Sequence, residues 1–221
     1  MKLSQTFKQL IDDPSSTERD VHRFLKRYPM LMVRLFNVSW NYYLCIPEFP
    51  LGNDYRADFL VLSADSGCWH AVFVELEGPN DVIYLKDGTP SKKLRGAQKQ
   101  VEDWDKFCSN RAEEVKQQIA RVLKPRGRCA QNRLMGCNGL ARDEILHPDV
   151  FLHRQYKVVI GRRSSFQDEP THHMPSPGAG YSPRVSTYDR VYDCLHSLES
   201  ISRNQNLEKY LSCDDRSSVH L

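Results

Sequence analysis

Three acidic residues sit where strand-forming segments end, and their types and spacing could do metal chemistry. Asp58 interrupts the apolar run Ala57 to Leu62, and Glu75 and Glu77 close a second apolar run, Trp69 to Leu76. The two runs are joined by Asp65-Ser66-Gly67, so they read as a β-hairpin. Strand side chains alternate, which puts Glu75 and Glu77 on one face and Val74 and Leu76 on the other. Antiparallel pairing then brings Asp58 beside both glutamates. Three converging carboxylates repel one another unless a cation or a proton lies among them. That outlines a site for a divalent metal.

Other residues bear on the same chemistry. Glu18 stands three residues after Ser15, which is the spacing of a reciprocal helix cap; the other reading is an extra carboxylate aimed at the metal site. Gln100 borders the apolar stripe of a long helix, one turn before Trp104, a position that suits a hydrogen-bonded boundary residue. Between Glu48 and Ile83 the acids Glu48, Asp54, Asp58, Asp65, Glu75, Glu77 and Asp81 face only Arg56, whereas Lys92, Lys93, Arg95 and Lys99 lead a basic series along the following helix. An acidic pocket beside a basic helix suits an enzyme that grips a phosphate backbone. The alternative is a solvated helix face, which the interrupting acids Glu102, Asp103 and Asp105 favour locally.

The elements that must position these residues follow from pattern. Met1 to Asp13 reads as a helix presenting Leu3, Phe7, Leu10 and Ile11, and a second helix runs from about Ser15 to Pro29. Ser39 to Ile46 reads as a strand, with Pro47, Pro50 and Gly52 bending the chain into the hairpin, so three sequential strands form an antiparallel meander. A short strand is an option at Val82 to Leu85. A long helix begins near Ser91, with Thr89 as cap and Pro90 in its first position, and buries Ala97, Val101, Trp104, Cys108, Ala112, Val115, Ile119 and Val122. Lys124 to Asp149 reads as an irregular connection; it and the next segment hold Cys129, Cys137, His147 and His153, which lack the paired short spacing of a zinc site. Tyr156 to Ile160 and Val185 to Thr187 read as strands, residues 164–184 as a mobile loop, Tyr188 to Ile201 as a last helix and residues 202–221 as a weakly ordered tail.

At 221 residues the chain fits one domain over residues 1–201. No apolar run approaches membrane-spanning length, and the first thirteen residues lack the apolar centre of a secretion signal. Seven cysteines without a framework spacing point to a reducing, cytoplasmic setting. A net charge of +3 is too small to argue for nucleic acid by itself.

The segments ERDVHRFLKRYPMLM, RADFLVL, VFVELEGPNDVIYLKDGTPSKKLRGAQKQVEDW, YKVVIGRR and STYDRVYDCL, in that order, resemble the nuclease domain of the Shedu anti-phage defence proteins, within the PD-(D/E)XK nuclease superfamily. The resemblance runs from about Ser15 to Leu198. It implies an α/β protein of the α+β kind, with a mixed sheet that includes the meander and is flanked by helices, and a magnesium- or manganese-dependent cleavage of DNA. By position it implies Asp58 and Glu75 as metal ligands, Glu18 as the carboxylate of the first core helix, and Gln100 with Trp104 as the helical motif of related RecB-type nucleases. One departure stands out: the superfamily carries Lys two residues after the Glu, and here that residue is Glu77, which can bind a second metal or accept the water's proton. Lys86, Lys92 and Lys93 are the lysines near enough in sequence to supply the missing charge. The expected partner is DNA, with self-association as an option and no membrane. A nuclease-like fold that binds nucleic acid or a protein without cutting is the competing expectation, and ordinary strand-end acids are the third.

Overall fold

The computed structural model describes residues 2–38, 42–65, 68–123, 145–166, 184–201 and 207–212. Its centre is a five-stranded mixed sheet, β1 (Tyr42–Leu51), β2 (Tyr55–Asp65), β3 (Cys68–Leu76), β4 (Phe151–Val159) and β5 (Arg184–Ser186), in the order β1-β2-β3-β4-β5. The first three strands form the expected antiparallel meander, and β4 and β5 join parallel to β3. A parallel pairing of β3 with β4 demands a long crossover, which contains α4 (Lys92–Asn110) and α5 (Ala112–Val122). These two helices cover one face, where Leu94, Ala97, Val101 and Trp104 pack on Leu60, Leu62 and Phe73. The opposite face carries α1 (Leu3–Asp12), α2 (Glu18–Arg27), α3 (Met30–Phe36), α6 (Tyr188–Ile201) and α7 (Leu207–Ser212). Being covered on both sides, β3 needs apolar residues at nearly every position, which is why Trp69 to Leu76 reads as a continuous run.

Several elements depart from what the sequence suggests. The second helix is capped by Thr17 and Asp20 rather than Ser15 and Glu18: Thr17 N–H and hydroxyl both donate to Asp20 Oδ2, at 3.0 and 2.6 Å. Pro29 does not end the helical region, because it serves as N-cap of α3. β1 runs straight through Pro47 and Pro50. It is an edge strand, so missing N–H donors can be turned away from the ladder. Val82 to Leu85 gives a single bridge between Tyr84 and Pro90 instead of a strand. The cap of α4 is Ser91, whose Oγ accepts the Leu94 N–H at 3.1 Å, two residues later than Thr89.

The long helix breaks at Arg111 (φ −133°, ψ 44°), after Ser109 and Asn110, residue types that weaken helix interiors. The break resets the phase, so Lys116, Ala120 and Leu123 turn inward while Ala112 and Val122 do not. β4 starts at Phe151, five residues before Tyr156. Within the tail, α7 packs Leu211 into the core. The Ser66-Gly67 turn, most of the Lys124 to Asp149 connection with its two cysteines, most of the 164–184 loop and residues 202–206 and 213–221 lie outside the described residues. No described helix is long and apolar enough to cross a membrane.

Candidate metal centre

Asp58 sits where the hairpin opens. The β2–β3 ladder runs from Asp65–Cys68 to Phe59–Val74, and the next pair would be Asp58 and Glu75. Instead of a ladder bond, the Asp58 carboxylate accepts the Leu76 N–H at 2.8 Å. A local reversal accompanies it. In β1, Leu44 and Ile46 face the α4–α5 layer and Tyr43 and Cys45 the other, yet after Glu48 the inward residues are Phe49 and Leu51. β2 reverses with it, between Phe59 and Ala57. Glu48 carries the irregularity in its backbone, at φ +53°, the one described non-glycine residue in the left-handed region, a conformation that costs of order 1 kcal/mol.

Glu75 and Glu77 are both buried polar residues on the face opposite Val74 and Leu76. The backbone fixes Glu77 on two sides: its N–H donates to the Val159 carbonyl at 2.9 Å, and its own carbonyl accepts the hydroxyl of the fully buried Tyr188 at 2.6 Å. A turn follows, in which Asp81 Oδ2 accepts the Gly78 N–H at 2.7 Å. A Cβ on Gly78 would meet that same oxygen at 2.7 Å. Of the three lysines near in sequence, Lys93 reaches the site. Its Nζ lies 2.9 Å from Glu77 Oε2 and 3.9 Å from Asp81 Oδ2.

With capping left to Thr17 and Asp20, Glu18 is free to face the cluster. Burial, then the charges of Asp58 and Glu77, raise its pKa. One turn further along α2, His22 Nε2 is 3.8 Å from Asp58 Oδ1, and the imidazole packs on Phe59 with 5.3 Å between ring centres. Burial lowers the His22 pKa, so the ring stays neutral near pH 7.

The electrostatics follow from crowding. Burial pushes the Glu75 carboxyl up to about 9, helped by the charges of Asp58, Glu77 and Glu18. Asp58 is pushed up to about 6, again mainly by burial, with the Leu76 N–H and Arg56 opposing. Glu75 Oε2 is buried without a hydrogen-bond partner. A carboxyl in that state must hold a proton or meet a cation. Magnesium fits such a place, because it is commonly held by one or two carboxylates and keeps several waters or phosphate oxygens. Among the described residues no three His, Cys, Asp or Glu side chains are grouped closely enough to enclose an ion by themselves.

Other expected residues stand apart. Gln100 is exposed on α4 and makes no hydrogen bond to the acids, while Trp104 is fully buried in the core. Lys92 is exposed, Arg95 donates to the Pro90 carbonyl at 2.8 Å, and Lys99 pairs with Asp103. His147 and His153 are separated too: the first lies 3.7 Å from Asp149 and the second packs against His70. Two residues beside the site, His22 and Tyr188, go unread in the sequence, and Asp81 is read only as one acid of the acidic stretch. His22 has a usable signal, four residues after Glu18 and so on the same helix face; Tyr188 has none, since a distant helix brings it in.

No curated protein matches the chain. The family model described as Shedu protein SduA, C-terminal, matches residues 15–192, nearly the stretch over which the segments resemble that family, and the chain belongs to it.

Proposed function

We propose that this chain is a metal-dependent nuclease domain of the PD-(D/E)XK type, cutting DNA by attack of water on phosphorus. Membership of the Shedu family points to anti-phage defence, and the nuclease reading rests on one observation above the rest. A buried carboxyl, Glu75, with an unpartnered oxygen and a pKa pushed up to about 9, sits beside Asp58 where the hairpin opens. That arrangement disfavours the free protein and favours a bound cation.

Asp58 and Glu75 would hold Mg²⁺ or Mn²⁺, which supplies Lewis-acid polarisation of the scissile phosphate when bound. Glu77 accepts the proton of the attacking water, acting as general base. Lys93, on a helix rather than on the strand, holds Glu77 in place and brings positive charge to the position that the superfamily motif fills with its lysine. Glu18 adds negative charge on the α2 side. Lys92, Arg95 and Lys99 are proposed to meet the DNA backbone.

Cleavage assays on linear, nicked and single-stranded DNA with Mg²⁺ and Mn²⁺ test this. The wild type is expected to cut, and the double variant Glu75→Gln, Glu77→Gln to bind DNA without cutting. Cleavage surviving in that variant would sink the site; binding without cleavage by the wild type would favour a recognition module.

A further inference from the structure

Two buried polar atoms lie on either side of Asp58 without a hydrogen-bond partner, and they come from different elements. One is Glu75 Oε2 of β3, in a residue only 8% exposed. The other is His22 Nε2 of α2, which solvent does not reach either. Asp58 uses Oδ2 to accept the Leu76 N–H, and its Oδ1 lies 3.8 Å from His22 Nε2. That separation is too long for a hydrogen bond. Two donors held about 2.1 Å from one ion stand at most about 4.2 Å apart, so a single cation can meet both atoms.

The fold holds this ring in place. Thr17 and Asp20 cap α2, and Val21 and Leu25 bury its inner side. The imidazole rests on Phe59, the residue after Asp58, with 5.3 Å between ring centres. β2 thus supplies both the carboxylate and the surface on which the imidazole lies. A buried ring nitrogen with neither a protein partner nor water is unfavourable. A cation between Nε2 and Oδ1 satisfies the nitrogen and relieves the repulsion among the acids. Magnesium gains little from such a donor, because it is held through oxygen, whereas imidazole suits first-row transition ions.

We propose that His22 Nε2 is a third ligand of the ion at Asp58 and Glu75, so that the site takes a first-row transition ion in preference to magnesium. The inference rests on the reading of those two acids as metal ligands. Asp58 and His22 already stand within reach of one ion, and Glu75 completes the set as the ion draws in its unpartnered oxygen.

The test uses the full chain with Mn²⁺ and no DNA, and it reads the ion rather than cleavage. Electron spin-echo modulation of the bound Mn²⁺ is expected to show coupling to a histidine nitrogen. Histidine labelled with heavy nitrogen shifts that coupling in the wild type, so this measurement stands whether or not a variant folds. His22→Gln should abolish the coupling. In calorimetry it should weaken Mn²⁺ and Co²⁺ by about tenfold or more, the scale seen even for groups that only orient a ligand, and Mg²⁺ by less than about threefold. A melt of His22→Gln in chelator separates lost coordination from lost folding. Bound Mn²⁺ without histidine coupling, or coupling that persists in His22→Gln, would overturn the inference. In either case Asp58→Asn decides the wider reading separately: if it abolishes Mn²⁺ binding, the acids remain the ligands and His22 is only their neighbour. No Mn²⁺ binding by the wild type would overturn both.

Discussion

In the proposed reaction Glu77 is the residue on which the chemistry turns, because it stands where the superfamily motif that the sequence resembles has lysine and receives a lysine from elsewhere. Lys93 at 2.9 Å keeps one carboxylate oxygen occupied and leaves the other free for a proton. Glu77→Gln should lower the cleavage rate roughly a hundredfold, the usual scale for a positioned base, with DNA affinity unchanged or tighter. Single-turnover kinetics beside a binding curve measures both. Glu75 makes a separate prediction about pH. Its carboxyl titrates at about 9 in the fold against 4.5 in the ordinary chain, so between those values the folded state keeps a proton that the unfolded state has lost. Stability of the metal-free protein should therefore fall as pH rises from about 5 to 9, and Glu75→Gln should flatten the fall. Manganese replaces that proton, so its gain in melting temperature should grow with pH. The three acids are legible in the sequence as strand-end residues. For Glu18 the sequence leaves the cap and the site carboxylate both open, because two capping spacings overlap there, Ser15–Glu18 and Thr17–Asp20, and the structure caps the helix with the second.

At the scale of elements, α4 decides what its basic residues can do. Its cap at Ser91 puts Lys93 on the second helical residue and turns it to the carboxylates. Lys92, Arg95 and Lys99 remain for a backbone, with Lys99 shared with Asp103 and Arg95 with a carbonyl. Changing those three to Gln should weaken binding to any DNA sequence and reduce the salt slope by about 0.9 for each phosphate that is no longer neutralised. Affinity unchanged at low salt would leave them a solvated face. Helix α4 is readable up to Trp104 from its stripe, and β3 from its apolar run. The break at Arg111 is not, since the apolar spacing continues across it while the backbone does not. A reading of pattern alone cuts β1 short at Pro47 for a related reason: a proline forbids a central strand, and only the finished sheet reveals that β1 is an edge.

Across the whole molecule, Arg162 ties the first helix to α6. Its guanidinium donates to the Ile11 carbonyl and to Asp12, both at 2.6 Å, and to Asp189 at 3.0 Å. Next to it, Gly161 (φ +59°) donates to the Gly78 carbonyl at 3.1 Å and accepts from Tyr188, so this corner also carries the loop after Glu77. A Cβ at Gly161 would come within 2.4 Å of the Asp81 carbonyl, so no larger residue fits. Arg162→Met should cost roughly 2 kcal/mol, about 4–8 °C in a thermal melt. An unchanged melt would mean that Phe7 and Ile11 dock α1 alone. Residues 12, 162 and 189 are too far apart in the chain for any local pattern to link them. The reversal at Glu48 has its own effect at this scale. Pro47 and Pro50 lie on either side of it, both within β1. Two prolines within this edge strand make it a poor template for another strand. At the other edge β5 is three residues long. Among the described residues, the sheet therefore ends in a proline-bearing strand at one edge and in a three-residue strand at the other, neither of which favours the addition of a further strand.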